Sequence, residues 1–382
     1  MSSPAYPAAS IVAPKVQAHF AKHVAEARQR GETDLAAVPD VETLETIIEA
    51  AFWASLRREE IYVPKISLAY VSPDQTTQPM LFEKGLSLDP WRLAKVAPAV
   101  ERQGIHLGVW RERDEICVWG TTRSIPTFCI VVEVAAPGVI VVKHHRGEEA
   151  GKFVNVAVLE ADQVKLVDEG ASSLPDCPAL LTSLLGFDSP ASWLASVNVL
   201  VQLAVSMRAH GRGGLLLVVP DGPQENAAWR ESIVRPIPYA LAPPFAELAA
   251  LVRVKADEHQ RRMWQDAVER AVEAIAGLTA VDGATIMTTD YQLLAFGAKI
   301  ARRKGSPQVE QVTLTEPIEG DVPQQLHPSA LGGTRHLSAA QFVHDQRGAI
   351  ALVASQDGRF TVFAWSPCEE TVHAHRVETL LL

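Results

Sequence analysis

Two short segments in the C-terminal half of the chain combine residue types that could do chemistry. In Asp282-Gly283-Ala284 a carboxylate stands at the mouth of an apolar strand, with the smallest residues behind it. Glycine lets a ligand approach the backbone, and a carboxylate there can hold a divalent cation or orient a hydroxyl. In Gly333-Thr334-Arg335-His336-Leu337-Ser338, glycine leads into a helical stretch. Its first turn offers backbone N–H groups, a hydroxyl, a guanidinium and an imidazole, the donor set of a phosphate-binding helix start. Taken alone, each segment is equally readable as a tight turn and a polar helix cap.

Other candidates fail on spacing. The run from Gly147 to Phe153 resembles a phosphate-binding loop but has one residue too few between its glycines, and it lacks the hydroxyl that holds magnesium. It reads as a hairpin turn. Gly211 to Gly214 precedes a strand instead of following one, which excludes a dinucleotide-binding turn. His144 and His145, and His373 and His375, have no partner ligands nearby in sequence and read as solvated strand histidines. Trp110 and Trp119 flank a charged turn and read as cross-strand packing partners. Four cysteines are too few and too scattered for a disulfide scaffold or a paired-cysteine metal site.

The elements that must position the two segments follow from periodicity. The 382 residues are 47% hydrophobic and 21% charged, the composition of a globular chain with a proper core. At about 150 residues per domain, two or three domains are expected. Residues 1–60 read as a helical lead, with helices over 14–29 and from an Asp40 cap to about 60. Residues 61–170 read as a β-rich block, with a strand over 61–71 and hairpins at 105–120 and 128–143. Residues 171–190 read as a linker, and 191–382 as an α/β domain. Within that domain the pattern gives a helix over 191–210 and a wholly apolar strand from Gly214 and Leu215 to Val219. A helical region over 244–277 comes next, followed by strands at 284–287 and 291–300. A polar loop over 301–328, a helix over 338–343 and two closing strands complete it. No internal repeat is visible. The fold class is α/β (α+β): a C-terminal mixed sheet flanked by helices and an N-terminal β-rich domain.

In this order the segments resemble the diadenylate cyclase domain, whose signatures are a DGA motif and an RHR motif preceded by a helix and an apolar strand. Asp282-Gly283-Ala284 matches the first, Gly333-Thr334-Arg335-His336 the start of the second, and Gly214 to Val218 the early strand. The resemblance covers about residues 190–366. The β-rich block before it resembles the sensor domain called DACNV. One departure stands out: the second arginine of RHR is Leu337 here.

The resemblance implies a sensor-regulated enzyme that joins two ATP molecules into cyclic di-AMP across a face-to-face dimer or higher homo-oligomer, with Mg2+ or Mn2+ as cofactor. It implies that Asp282-Gly283-Ala284 is the catalytic motif, in which Asp282 binds the metal and helps activate the ribose 3′-hydroxyl and Gly283 leaves room for ribose or phosphate, and that Gly333, Thr334, Arg335, His336 and Ser338 hold the triphosphate. Gly214 and Leu215 are implied on the adenine side. Lys299, Arg302 and Arg303 are candidates for the charge missing at Leu337. The alternative is a catalytically degenerate domain that senses ATP or a cyclic dinucleotide. The net charge of -10 argues against broad binding to a nucleic-acid backbone. The stretch after Trp365 is too short for the helix-hairpin-helix DNA domain of some relatives. No apolar run reaches the ~20 residues of a membrane helix, and the N-terminal residues lack a secretion-signal pattern. A cytoplasmic protein without DNA or membrane partners is expected.

Overall fold

The structure, a computed structural model, describes residues 5–57, 64–102, 104–112, 115–145, 153–168, 195–222, 227–254 and 261–382. The linker expected over 171–190 and most of the loop at 147–153 lie outside them. The chain divides into two compact units, Met1–Val167 with Leu382, and Asp168–Leu381. Each contains one large mixed sheet with helices, an α+β architecture with a β-rich N-terminal region.

In the first unit, α1 (Pro7–Gln29) and α2 (Val41–Ser55) precede β1 (Ser67–Tyr70) and β2 (Met80–Ser87). Then come α3 (Pro90–Val96), β3 (His106–Glu112), β4 (Glu115–Thr122), β5 (Ile130–Ala136), β6 (Val139–His145), β7 (Phe153–Glu160) and β8 (Gln163–Leu166). Helix α1 starts well before the expected residue 14, because Ala8, Ala9, Val12 and Ala13 are buried and anchor its first turns ahead of Pro14. The Asp40 cap of α2 is real: the Thr43 N–H donates to Asp40 Oδ1 at 2.7 Å, and Leu44, Ile47, Ile48 and Ala51 are buried. The lead and the β-block share one hydrophobic core.

In the second unit, α4 (Ala195–Ala209) leads to β9 (Gly214–Val219) and β10 (Tyr239–Phe245). After α5 (Glu247–Arg253) and α6 (Arg261–Leu278) come β11 (Ala284–Thr288), β12 (Leu293–Ala298), β13 (Val312–Thr315) and β14 (Gln324–Leu326). Helix α7 (Thr334–Asp345) and β15 (Ile350–Ala354), β16 (Phe360–Ser366) and β17 (Thr371–Arg376) complete it. Several expectations are corrected. Residues 239–245 form an edge strand, since Pro243 and Pro244 cannot donate to a helix but are tolerated at a sheet edge. The polar loop over 301–328 contains β13 and β14. A third closing strand, β17, was hidden because only Val372 and Ala374 supply its apolar alternation. Helix α7 begins four residues early, so Thr334, Arg335 and His336 form its first turn.

The strand orders are β2-β4-β3-β1-β5-β6-β7-β8 and β10-β12-β11-β9-β15-β16-β17-β13-β14. They correspond strand for strand over seven positions. β1 is parallel to β3 and antiparallel to β5; β9 is parallel to β11 and antiparallel to β15. The parallel neighbour pairs antiparallel with the next strand, which carries the edge strand: β3–β4–β2 in one unit, β11–β12–β10 in the other. On the other side, β5–β6–β7 matches β15–β16–β17. Among the described residues a helix directly precedes the central strand in each unit (α2, α4), and helices also lie between the second and third strands (α3; α5 and α6). The chain folds one topology twice. The units part between β4 and β5, where residues 123–129 suffice, whereas β12 and β15 are separated by β13, β14 and α7.

Candidate functional site

The candidate residues gather where β9 and β11 begin and β12 and β15 end. β9 and β11 run side by side, and Gly214 pairs with Ala354 at the end of β15. The wholly apolar β9 is buried along its length, so only its Gly-rich approach can meet a ligand. Leu215 and Ala284 are 2% and 1% exposed and belong to the core. Their side chains pack into the core of the second unit.

Asp282 sits just before β11 with its side chain 91% exposed, and Lys299 Nζ donates to Asp282 Oδ2 at 2.6 Å. That hydrogen bond and the ammonium charge hold the carboxyl below its ordinary range, with a smaller contribution from Arg335. The carboxylate is ionised at neutral pH. It is correspondingly a weak proton acceptor and a good partner for a cation.

Gly283 has a structural explanation that differs from the expected ligand space. Its φ is +114°, and a Cβ there would lie 2.5 Å from the Gly297 carbonyl carbon and 2.9 Å from the Ala298 oxygen. Glycine is required because β12 crosses there. Gly297 is itself packed under Tyr239, whose ring stacks on Phe296 at 4.7 Å.

Arg335 lies over the Gly-rich turn. A Cβ on Gly213, where φ is +71°, would be 3.0 Å from Arg335 Nη1. Gln356 reaches the same turn, its Nε2 donating to the Arg212 carbonyl at 3.4 Å. The Arg212 N–H donates to His210 Nδ1 at 3.1 Å, so the ring's proton is on Nε2, which donates to Thr279 Oγ1 at 3.2 Å. Burial and then the charge of Arg212 keep His210 below its ordinary range. Thr279 also explains Gly214, where a Cβ would lie 2.5 Å from Thr279 Oγ1.

Helix α7 begins at the Gly333 cap, which has no side-chain cap bond, and Thr334 is exposed in the first turn. Leu337 and Ser338 are half-buried. His336 departs from expectation. It is 3% exposed, its ring packs back onto Gly332, and it sits edge-on to Phe363 at 6.1 Å. Burial pushes it down to about 4, so it is uncharged at neutral pH and adds no positive charge to the site.

The structure thus brings together Asp282, Lys299, Arg335 and the turn at Gly213. Arg303 lies elsewhere, its Nε on Glu231 at 2.7 Å. Sequence reasoning did not assign His210, Arg212, Gly213, Thr279 or Gln356 to the site. Two glycines in a row before a buried strand were the available signal for the turn. Among the described residues, no group of three or more His, Cys, Asp or Glu side chains is arranged to hold a metal ion. Asp282 fits a divalent cation only in company with ligand oxygens, as hard cations shared with a phosphate chain are held.

The other tempting residues are structural. Trp119 is buried and donates to the Val71 carbonyl at 2.8 Å, and Trp110 packs on Tyr70 at 4.8 Å. His144 and His375 are 1% and 5% exposed, which corrects the reading of these two as solvated. Among the described residues no helix is long and apolar enough to cross a membrane.

Residues 33–123 match the family described as the probable sensor domain DACNV. The match opens before α2 and closes just after β4, so it begins earlier and ends earlier than the β-rich block at 61–170. It covers the segment from Asp40 and its helix to the first hairpin of the sheet. No curated protein matches the chain.

Proposed function

We propose that the second unit is a nucleotide-handling domain and that the chain is a sensor-regulated diadenylate cyclase. The observation that carries this reading is the meeting of Asp282, Lys299 and Arg335 beside the Gly213 turn and the open start of α7. An ionised carboxylate, two cations and free helix N–H groups suit a magnesium- or manganese-bound triphosphate. The match of residues 33–123 to a probable sensor domain supports the regulatory half.

In the proposed reaction each ribose 3′-hydroxyl loses its proton to water, and its oxygen bonds to the α-phosphorus of the other ATP as the bond to the β-phosphate oxygen breaks. Two pyrophosphates leave, and the second units of two copies of the chain must face each other, since each holds one ATP. Mg2+ or Mn2+, held between Asp282 and the triphosphate, would supply charge neutralisation. Arg335 and the first N–H groups of α7 bind and orient phosphate, and Lys299 orients Asp282 through its hydrogen bond. Catalysis of this kind rests on positioning and electrostatics more than on proton transfer. The test is product analysis: ATP with Mg2+ or Mn2+ yields cyclic di-AMP by mass spectrometry. No product across metals and protein concentrations would sink the cyclase reading.

A second reading is favoured by two observations: His336 is buried and neutral, and Leu337 adds no charge. With Arg335 as the one cation of that helix turn, the domain binds ATP or a cyclic dinucleotide and reports it without turnover. Tight binding without product, with activity gained in Leu337→Arg, distinguishes this reading from the first.

A further inference from the structure

The turn that leads into β9 carries a cation with no role assigned so far. Arg212 stands between Gly211 and Gly213, whose φ values are +64° and +71°. Its backbone is held on both sides by side chains. The Arg212 N–H donates to His210 Nδ1 at 3.1 Å, and its carbonyl accepts from Gln356 Nε2 at 3.4 Å. His210 is itself anchored at Thr279 Oγ1, and that hydroxyl donates to the Ala276 carbonyl at 2.6 Å. The main chain at Arg212 is thus fixed while its side chain is exposed.

A second guanidinium lies at the same turn. Arg335 Nη1 stands 3.0 Å from where a Cβ on Gly213 would sit, and Gly213 follows Arg212 directly, ~3.8 Å away between Cα atoms. The two charges also act on one ring, since both disfavour protonation of His210. Among the described residues neither guanidinium has an ion-pair partner. The acids around them are engaged by other cations: Asp282 by Lys299 at 2.6 Å and Asp357 by Arg359 at 3.6 Å. Arg376, whose charge reaches His336 from β17, is offset by Glu378 at 3.8 Å. The helix ends do not reverse this balance. The C-termini of α4 and α6 add about half a negative charge each and the start of α7 half a positive one, which leaves roughly one and a half positive charges in excess. Like charges held at one turn repel, and an anion between them removes the repulsion.

We propose that Arg212 is a second phosphate-binding residue of this site and holds the polyphosphate of the nucleotide together with Arg335. The inference rests on the reading of the second unit as a nucleotide-handling domain, and adds to it a cation supplied by the turn before β9. The bonds from His210 and Gln356 hold the backbone from which the guanidinium extends, so less conformational freedom is lost when phosphate is bound.

Calorimetric titration of ATP with Mg2+ into the full chain tests this. Arg212→Ala should weaken ATP roughly tenfold or more, the loss of one charge-assisted contact, with the melting temperature unchanged because the side chain is exposed. Arg212→Lys restores the charge and should recover part of that loss, which a residue that only shapes the turn would not show. The affinity of the wild type should also fall more steeply with added salt than that of Arg212→Ala. If Arg335→Ala weakens ATP and Arg212→Ala does not, the nucleotide site stands and the assignment of Arg212 is overturned. Equal weakening in Arg212→Ala and Arg212→Lys overturns it too, since the charge would then be idle. No binding of ATP by the wild type removes the nucleotide reading and this assignment with it.

Discussion

The two units share a strand order and a set of pairing senses, yet they furnish the matching strand ends differently: a buried Ser67–His106 hydrogen bond of 2.7 Å at the starts of β1 and β3, an exposed Asp282–Lys299 pair at β11 and β12. In the first, β4 runs to β5 through residues 123–129; in the second, the same step is lengthened by β13, β14 and α7. That insertion delivers Arg335 and the helix start to the mouth of β9 and β11. The corresponding glycines differ in the same sense. Gly104, just before β3, has φ +76° and no atom near its Cβ direction, whereas Gly283, just before β11, has φ +114° and the β12 backbone against it. One topology therefore serves as a scaffold in both units, and what the second can do is set by what is grafted on its edges. The match to a probable sensor domain falls on the unit without the graft.

Substitutions can break this contrast, and they rank by expected size. Asp282→Asn should lower cyclic di-AMP formation by a hundredfold or more, on the order of the loss when a preorganised charge contact is removed; a modest change would show that the carboxylate is peripheral. Gly283→Ala should destabilise the protein by roughly 3 kcal/mol, from combined backbone strain and overpacking against β12. Gly104→Ala meets open space and should cost only about 1 kcal/mol for its positive φ. Equal losses in urea titrations of the two variants would remove the distinction between the glycines.

Acid should act on both units. Burial pushes His106 and His336 down to about 4 and His375 to about 3, whereas an unfolded imidazole titrates near 6.5. Below the unfolded value the unfolded chain binds more protons, so stability is full above about pH 6.5 and falls toward pH 4. Each imidazole contributes roughly 3 kcal/mol to that fall. Melting at pH 7.5 and 5.0 checks this, and a flat profile would contradict neutral burial of these rings. The smallest effect is Asp40→Ala, which removes the cap of α2 and should cost about 1 kcal/mol, seen as a small drop in the melting temperature.

Much of this was legible in the sequence where pattern and packing agree. Asp40, the hairpin around residues 111–114 and the buried run from Gly214 to Val219 carry undiluted signals: a cap, a charged turn and an apolar strand. Short strands with polar flanks, such as β13, β14 and β17, do not. The proximity of Asp282, Lys299 and Arg335 was legible only in part, because Lys299 reaches the carboxylate across the β11–β12 pair and not along the chain. The burial of His336 against Gly332 was not legible, because its place in the first turn of α7 says nothing of which way the ring points. The repeated topology left no trace in residue identity. Pairing order depends on which strands meet, and many sequences satisfy the same burial pattern.

The end of the second sheet, where Asp282 and Lys299 pair near Arg335, is the proposed nucleotide site. Calorimetric titration of ATP with Mg2+ into the wild-type chain and the Arg335→Ala variant tests it most directly. Saturable binding by the wild type, weakened at least tenfold in the variant, is the predicted result. Equal binding by the two proteins, or none by the wild type, would contradict it.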